Sequence, residues 1–119
     1  MSTVLLVDDT LSQLELLGGY LRSGGFTVVS VSDAKDALAK AEQVKPDAIV
    51  TDLVMPGMSG LEFCRNLKKN PATESVPIVA CSTKNQDIDR LWAMKQGVAA
   101  YVTKPCTQDE LVKAVKSVV

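Results

Sequence analysis

Short continuous apolar runs alternate with stretches in which apolar residues recur every three or four positions. Residues 3–7, TVLLV, are apolar almost throughout, which predicts a strand buried on both faces. Residues 11–23 place Leu11, Leu14, Leu17 and Leu21 on one helical stripe, closed by Ser23-Gly24-Gly25. The pattern then repeats. FTVVSV (26–31) predicts a second strand, and Asp33 is a fitting N-cap for a helix over 34–44 with Ala34, Leu38 and Ala41 inward. AIVT (48–51) predicts a third strand, MPGMSG (55–60) a loop and 61–69 a helix. IVAC (78–81) predicts a fourth strand, 85–96 a helix closed by Gly97, AAYVT (99–103) a fifth strand and 107–118 a last helix.

Five strand–helix units in strict alternation predict an α/β domain: a doubly wound parallel sheet with helices on both faces, a three-layer sandwich. A flavodoxin-like (βα)5 order, 2-1-3-4-5, is the expected one, and ligands in such sheets bind beyond the carboxyl ends of the strands. The 119 residues suit one domain, with no linker, repeat or output domain expected.

Composition narrows the chemistry. With 46% hydrophobic residues the chain can bury a real core, yet no segment is long and apolar enough to span a membrane, and no signal sequence is evident. Net charge is −1 without a basic run, so nucleic-acid binding is not expected. Three cysteines, Cys64, Cys81 and Cys106, match neither a disulfide framework nor a zinc motif, which suits a cytoplasmic protein with inert thiols. There is no histidine, which removes Ser-His and Cys-His nucleophile pairs and His-ligated metals.

What remains is carboxylates, hydroxyls and lysine, and they gather at strand ends. Asp8 and Asp9 follow the first strand, Asp52 the third, Ser82 and Thr83 the fourth and Lys104 the fifth. Three clustered carboxylates need a cation, and hard oxygen donors select Mg²⁺. Lys104 adds a point charge for phosphate oxygens and Ser82 a hydrogen bond. Each residue also has a purely structural reading: Asp9 as cap of the first helix, Asp52 as a turn residue, Ser82 as cap of the fourth helix, Lys104 as a solvated lysine, Tyr101 as an exposed strand aromatic. Trp92 reads as core edge.

The acid pair, PDAIVTDLVMPGMSG (46–60), the hydroxyl after the fourth strand and YVTKP (101–105) together resemble a response-regulator receiver domain of the CheY type over essentially the whole chain. STKNQDIDRLWAMKQGVAAYVTKP (82–105) is similar to the stand-alone receivers of pilus chemotaxis, the PilH-like branch. The resemblance implies a single-domain two-component regulator, not an enzyme. Asp52 would be the phosphoacceptor for a histidine kinase. Asp8 and Asp9, Asp9 more directly, would bind Mg²⁺ with Asp52 and the backbone carbonyl of Val54. Ser82 would be the switch hydroxyl, Tyr101 the switch aromatic and Lys104 the phosphate-pairing lysine. Output would pass from a monomer to a target protein over helix 4, strand 5 and helix 5, framed by Arg90, Met94, Lys95, Lys113 and Lys116, in chemotaxis, phototaxis or pilus motility. Two departures stand out: Thr83, where a small residue is usual, and Cys106, where an aromatic is common. A Mg²⁺-dependent phosphohydrolase would want a second acid near Asp52, where Val54 stands; a flavin module would want aromatic walls, yet aromatics are 4%.

Overall fold

A computed structural model describes residues 2–119. The elements run β1 (Thr3–Val7), α1 (Leu11–Ser23), β2 (Thr27–Val31), α2 (Ala34–Val44), β3 (Ala48–Thr51), α3 (Gly60–Lys69), β4 (Ile78–Ser82), α4 (Asp87–Lys95), β5 (Ala100–Thr103) and α5 (Gln108–Lys116). The five strands form one parallel sheet in the order β2-β1-β3-β4-β5. Both the alternation and the strand order expected from the sequence are observed.

Successive strand residues point to opposite faces, so each apolar strand feeds two cores. Leu5, Val7, Ile49, Ile78 and Ala80 pack with Ala37, Ala41, Phe63, Leu67 and Ala93 on the α2–α3–α4 side. Val4, Leu6, Val50, Val79 and Cys81 pack with Leu17, Leu21, Leu111 and Val115 on the α1–α5 side. Burial pushes the Cys64 and Cys81 thiols up to about 12, so both are core thiols held protonated at neutral pH.

Several boundaries move for identifiable reasons. Asp33 caps α2 as expected, accepting from the Asp36 N–H at 3.0 Å. Thr10, not Asp9, stands at the N-cap of α1, so the capping reading of Asp9 fails. Leu11, placed on the inward stripe, is 70% exposed; α1 meets the sheet only from Leu14 onward. The fourth helix begins at Asp87 rather than residue 85, with Gln86 at its N-cap and the Asp89 carboxylate accepting the Gln86 N–H at 3.1 Å. That also removes Ser82 as its cap. The second strand begins at Thr27, and the fifth helix ends at Lys116. Trp92 is no core-edge residue: it is half exposed, and Ala93 is the one buried residue of α4.

Candidate functional site

Strand register brings the site together. Val7 pairs with Thr51, Thr51 with Ala80, and Ser82 with Thr103, so the residues just beyond these positions share one edge. The Lys104 N–H donates to the Ser82 carbonyl at 2.7 Å, fixing the start of the β5–α5 loop against β4.

At that edge one ammonium spans two carboxylates. Lys104 Nζ lies 2.6 Å from Asp8 Oδ2 and 3.2 Å from Asp52 Oδ2. The pairs are nearly dry: the side chains of Lys104, Asp8 and Asp52 are 8%, 2% and 14% exposed. Burial works against the charged ammonium, but the hydrogen bond to Asp8 and the charges of Asp52 and Asp8 outweigh it and hold Lys104 above its ordinary value. The solvated-lysine reading of Lys104 therefore fails. Asp8 Oδ1 accepts the Thr10 N–H at 3.0 Å. Asp52 Oδ1 accepts the N–H groups of Leu53 at 2.6 Å and Val54 at 3.1 Å. These backbone donors were invisible in the sequence, since any non-proline residue supplies one. They hold one Asp52 oxygen in a local Asx turn, as the turn reading has it, while the other oxygen reaches Lys104 across the edge.

Asp9 is exposed, and one carboxylate oxygen each from Asp8, Asp9 and Asp52 lie within 4.8 Å of one another. An all-oxygen donor set without imidazole or thiolate fits a hard divalent cation such as Mg²⁺. Like charges at that spacing repel when no cation is bound. Asp9→Asn is accordingly expected to raise the melting temperature in chelator by a few degrees, the exposed charge being worth up to about 1 kcal/mol. A melting temperature that falls or stays unchanged argues against the cluster.

Ser82 is fully buried, and its Oγ accepts the Lys84 N–H at 3.3 Å. Tyr101 is half-buried, not a free surface aromatic. Its hydroxyl donates to the Lys84 carbonyl at 2.8 Å, and the Arg90 guanidinium stacks 5.2 Å from the ring centroid while donating to Thr103 at 3.0 Å. Burial raises the Tyr101 phenol above its ordinary value. The β4–α4 loop thus ties Ser82, next to Asp52's edge, to an aromatic on β5. Lys84 and Arg90 as parts of this link escaped the sequence reading.

A cleft of about 440 Å³ opens from Asp52, Thr83 and Lys104 along Gln13 and Tyr20 of α1 to Cys106. Cys106 stands where an aromatic is common, and burial raises its half-buried thiol above the ordinary value. It anchors the loop by packing on the α1–α5 core.

The family model described as "Response regulator receiver domain" matches residues 4–116. The chain belongs to that family. Protein PilH of Pseudomonas aeruginosa is 35% identical to this receiver over 118 residues, 99% of this chain and 98% of PilH. The chemotaxis protein CheY4 of Vibrio cholerae superposes with a TM-score of 0.94 at 28% identity, covering 100% of this chain and 99% of that one. The receiver domain of the sensor histidine kinase PA1611 from Pseudomonas aeruginosa, solved with a magnesium ion coordinated in its active-site cleft, superposes at 0.90 and 28% identity over 98% and 96% of the two chains. Both the receiver family and the PilH-like resemblance are thereby borne out.

Proposed function

We propose that this receiver is a phosphorylation switch in which Asp52 accepts a phosphoryl group from a histidine kinase and remodels a protein-binding surface. The observation that carries the reading is the single buried ammonium of Lys104 spanning Asp8 and Asp52 beside the exposed Asp9. Asp52 Oδ attacks phosphorus, the P–N bond to the donor imidazole breaks, and the imidazole leaves with its electron pair. Asp8, Asp9, Asp52 and the backbone carbonyl of Val54 would hold Mg²⁺, which supplies charge neutralisation at the phosphoryl oxygens. The magnesium-bound receiver of PA1611 supports that ligand class.

The chain's own groups do the rest. The Leu53 and Val54 N–H groups orient one Asp52 oxygen, leaving Oδ2 toward Lys104 and the cleft. A phosphoryl group adds about −1.5 to −2 charge. It draws Lys104 off Asp8 and the Ser82 hydroxyl off the Lys84 N–H. Pulling that loop strains the bond between the Tyr101 hydroxyl and the Lys84 carbonyl, so Tyr101 turns inward and the α4–β5–α5 face changes, a two-state shift. The domain acts only on its own phosphorylation state, as a monomer in the cytoplasm. Its kinship to PilH supports an output in type IV pilus motility.

Beryllofluoride with Mg²⁺, a phosphoryl mimic, tests the relay by backbone NMR. Large amide shifts are expected at Ser82, Lys84 and Tyr101 and along α4. Shifts confined to Asp52 and its two neighbours would show that nothing is relayed.

A further inference from the structure

Eight large apolar side chains stand exposed among the described residues, and four of them crowd the nine-residue α4: Ile88 at 47%, Leu91 at 51%, Trp92 at 50% and Met94 at 52%. Of these, Ile88 and Trp92, four residues apart, share one stripe, and an exposed apolar stripe marks an interaction site. Its orientation is settled by neighbours. Gln96, one turn on from Trp92, accepts from Arg65 Nε on α3 at 3.1 Å, so Trp92 stands over the α3–α4 seam. Arg90 is about 200° around the helix from Trp92 and faces Tyr101 instead.

Positive charge gathers on the same side. Lys95, expected to frame the strand 5 side, instead lies 5.4 Å over the Trp92 ring. With Arg65, Lys68 and Lys69 it lines a groove of about 280 Å³. Lys68 Nζ is occupied by the carbonyls of Glu74 and Val76 at 3.0 Å each. Arg65, Lys69 and Lys95 form no ion pair with a carboxylate among the described residues, where the salt bridges involve Lys104 and Lys113. Across α4 the balance differs: Lys113 pairs with Asp109 at 3.0 Å, and Glu110 shares the groove with Arg90. The α3-side groove thus carries four cations and no carboxylate among its lining residues.

We propose that the α3–α4 seam is a second docking surface, which seats an acidic amphipathic segment of a partner protein with its apolar residues on Trp92 and Ile88 and its carboxylates on Arg65, Lys69 and Lys95. Arginine can take a carboxylate bidentately, and an exposed tryptophan with an arginine on the neighbouring helix has the composition of an interface hot spot. A phosphate backbone would use the cations but leave Ile88 and Leu91 without a role, which favours protein over nucleic acid. The seat lies across α4 from the Tyr101 link.

The chain's single tryptophan makes the test site-specific. The probe is a synthetic helical peptide with glutamates on one face and leucines on the other. Titration into the intact protein is expected to blue-shift Trp92 emission and saturate. A glutamine analogue of the peptide is expected to bind about tenfold more weakly, as is the Arg65→Glu, Lys69→Glu variant. Lys95→Glu alone serves as a second variant if that pair disturbs the fold. Lys113→Glu with Lys116→Glu should leave affinity unchanged. Phosphorylation of Asp52 should be unaffected in all these variants, which separates this surface from the switch itself. An unresponsive Trp92, equal affinity for the glutamine analogue, equally tight binding of fluorescein-labelled single-stranded DNA, or self-association through this face without peptide would each overturn the proposal.

Discussion

Replacing Lys104 with methionine is expected to cost the metal-free protein about 3–5 kcal/mol, because removing one partner of a buried pair strands the other's charge. Methionine keeps the apolar stem and removes only the ammonium. Asp8, with its side chain 2% exposed, then retains one donor, the Thr10 N–H. It must also face Asp52 without the cation that spans them. Mg²⁺ is expected to return part of the loss, since saturation at 100 times its dissociation constant stabilises the native state by about 2.7 kcal/mol. Urea unfolding with chelator and with Mg²⁺ measures both terms. A loss below about 1 kcal/mol in chelator, the scale of an exposed pair, would show that Lys104 is not the internal counter-ion.

Gly60→Ala is expected to be the most damaging glycine substitution, at about 3 kcal/mol or more. A Cβ at Gly60 would lie 2.3 Å from the Asp52 carbonyl oxygen and 2.4 Å from the Leu53 Cα, and neither is a side chain that can swing away. The Gly60 N–H also donates to the Leu53 carbonyl at 3.1 Å, closing the loop that carries Val54. The first residue of α3 therefore rests directly on the backbone that presents Asp52. Relief of the clash must move that backbone, so phosphoryl acceptance should fall along with stability. Gly19→Ala is the control: nothing lies within 4 Å of a Cβ there, and a helix-interior glycine should gain up to about 1 kcal/mol from alanine. Equal urea midpoints for the two variants would refute the close-approach argument.

Gly60 also illustrates what the sequence conceals. It reads as the end of the MPGMSG loop, and nothing in a hydrophobic pattern marks a glycine chosen for lack of a Cβ. The fold, by contrast, is legible because both faces of the sheet are covered. The inner strands β1, β3 and β4 must be apolar nearly throughout, and each covering helix except α4 repeats its buried residues every three or four positions. Periodicity misleads where a helix overhangs its neighbours. Leu11 has the correct spacing but precedes the point where α1 reaches the sheet. In α4 Trp92 reads as core edge, whereas the buried residue is Ala93. A small residue amid LWAMK allows close approach, and that signal outranks the size of its neighbours.

The acids and Lys104 could be placed from sequence because they follow directly on strands whose order the alternation suggests. Their roles depend on charge, which a side chain carries wherever it stands. The donors that orient them could not be placed. Leu53, Val54 and Thr10 act through backbone N–H groups, and the Tyr101 hydroxyl meets a backbone carbonyl. Lys95 was set on the wrong side of α4 because helix spacing gives an angle but no origin until Gln96 and Arg65 fix one.

The most direct test is intact mass after incubation with acetyl phosphate and Mg²⁺. The wild-type chain should gain one phosphoryl group, lost when Mg²⁺ is chelated beforehand, and Asp52→Ala should gain none. A phosphoryl group that persists on Asp52→Ala, or that maps to Ser82 in the wild-type chain, would contradict the assignment of Asp52 as the acceptor.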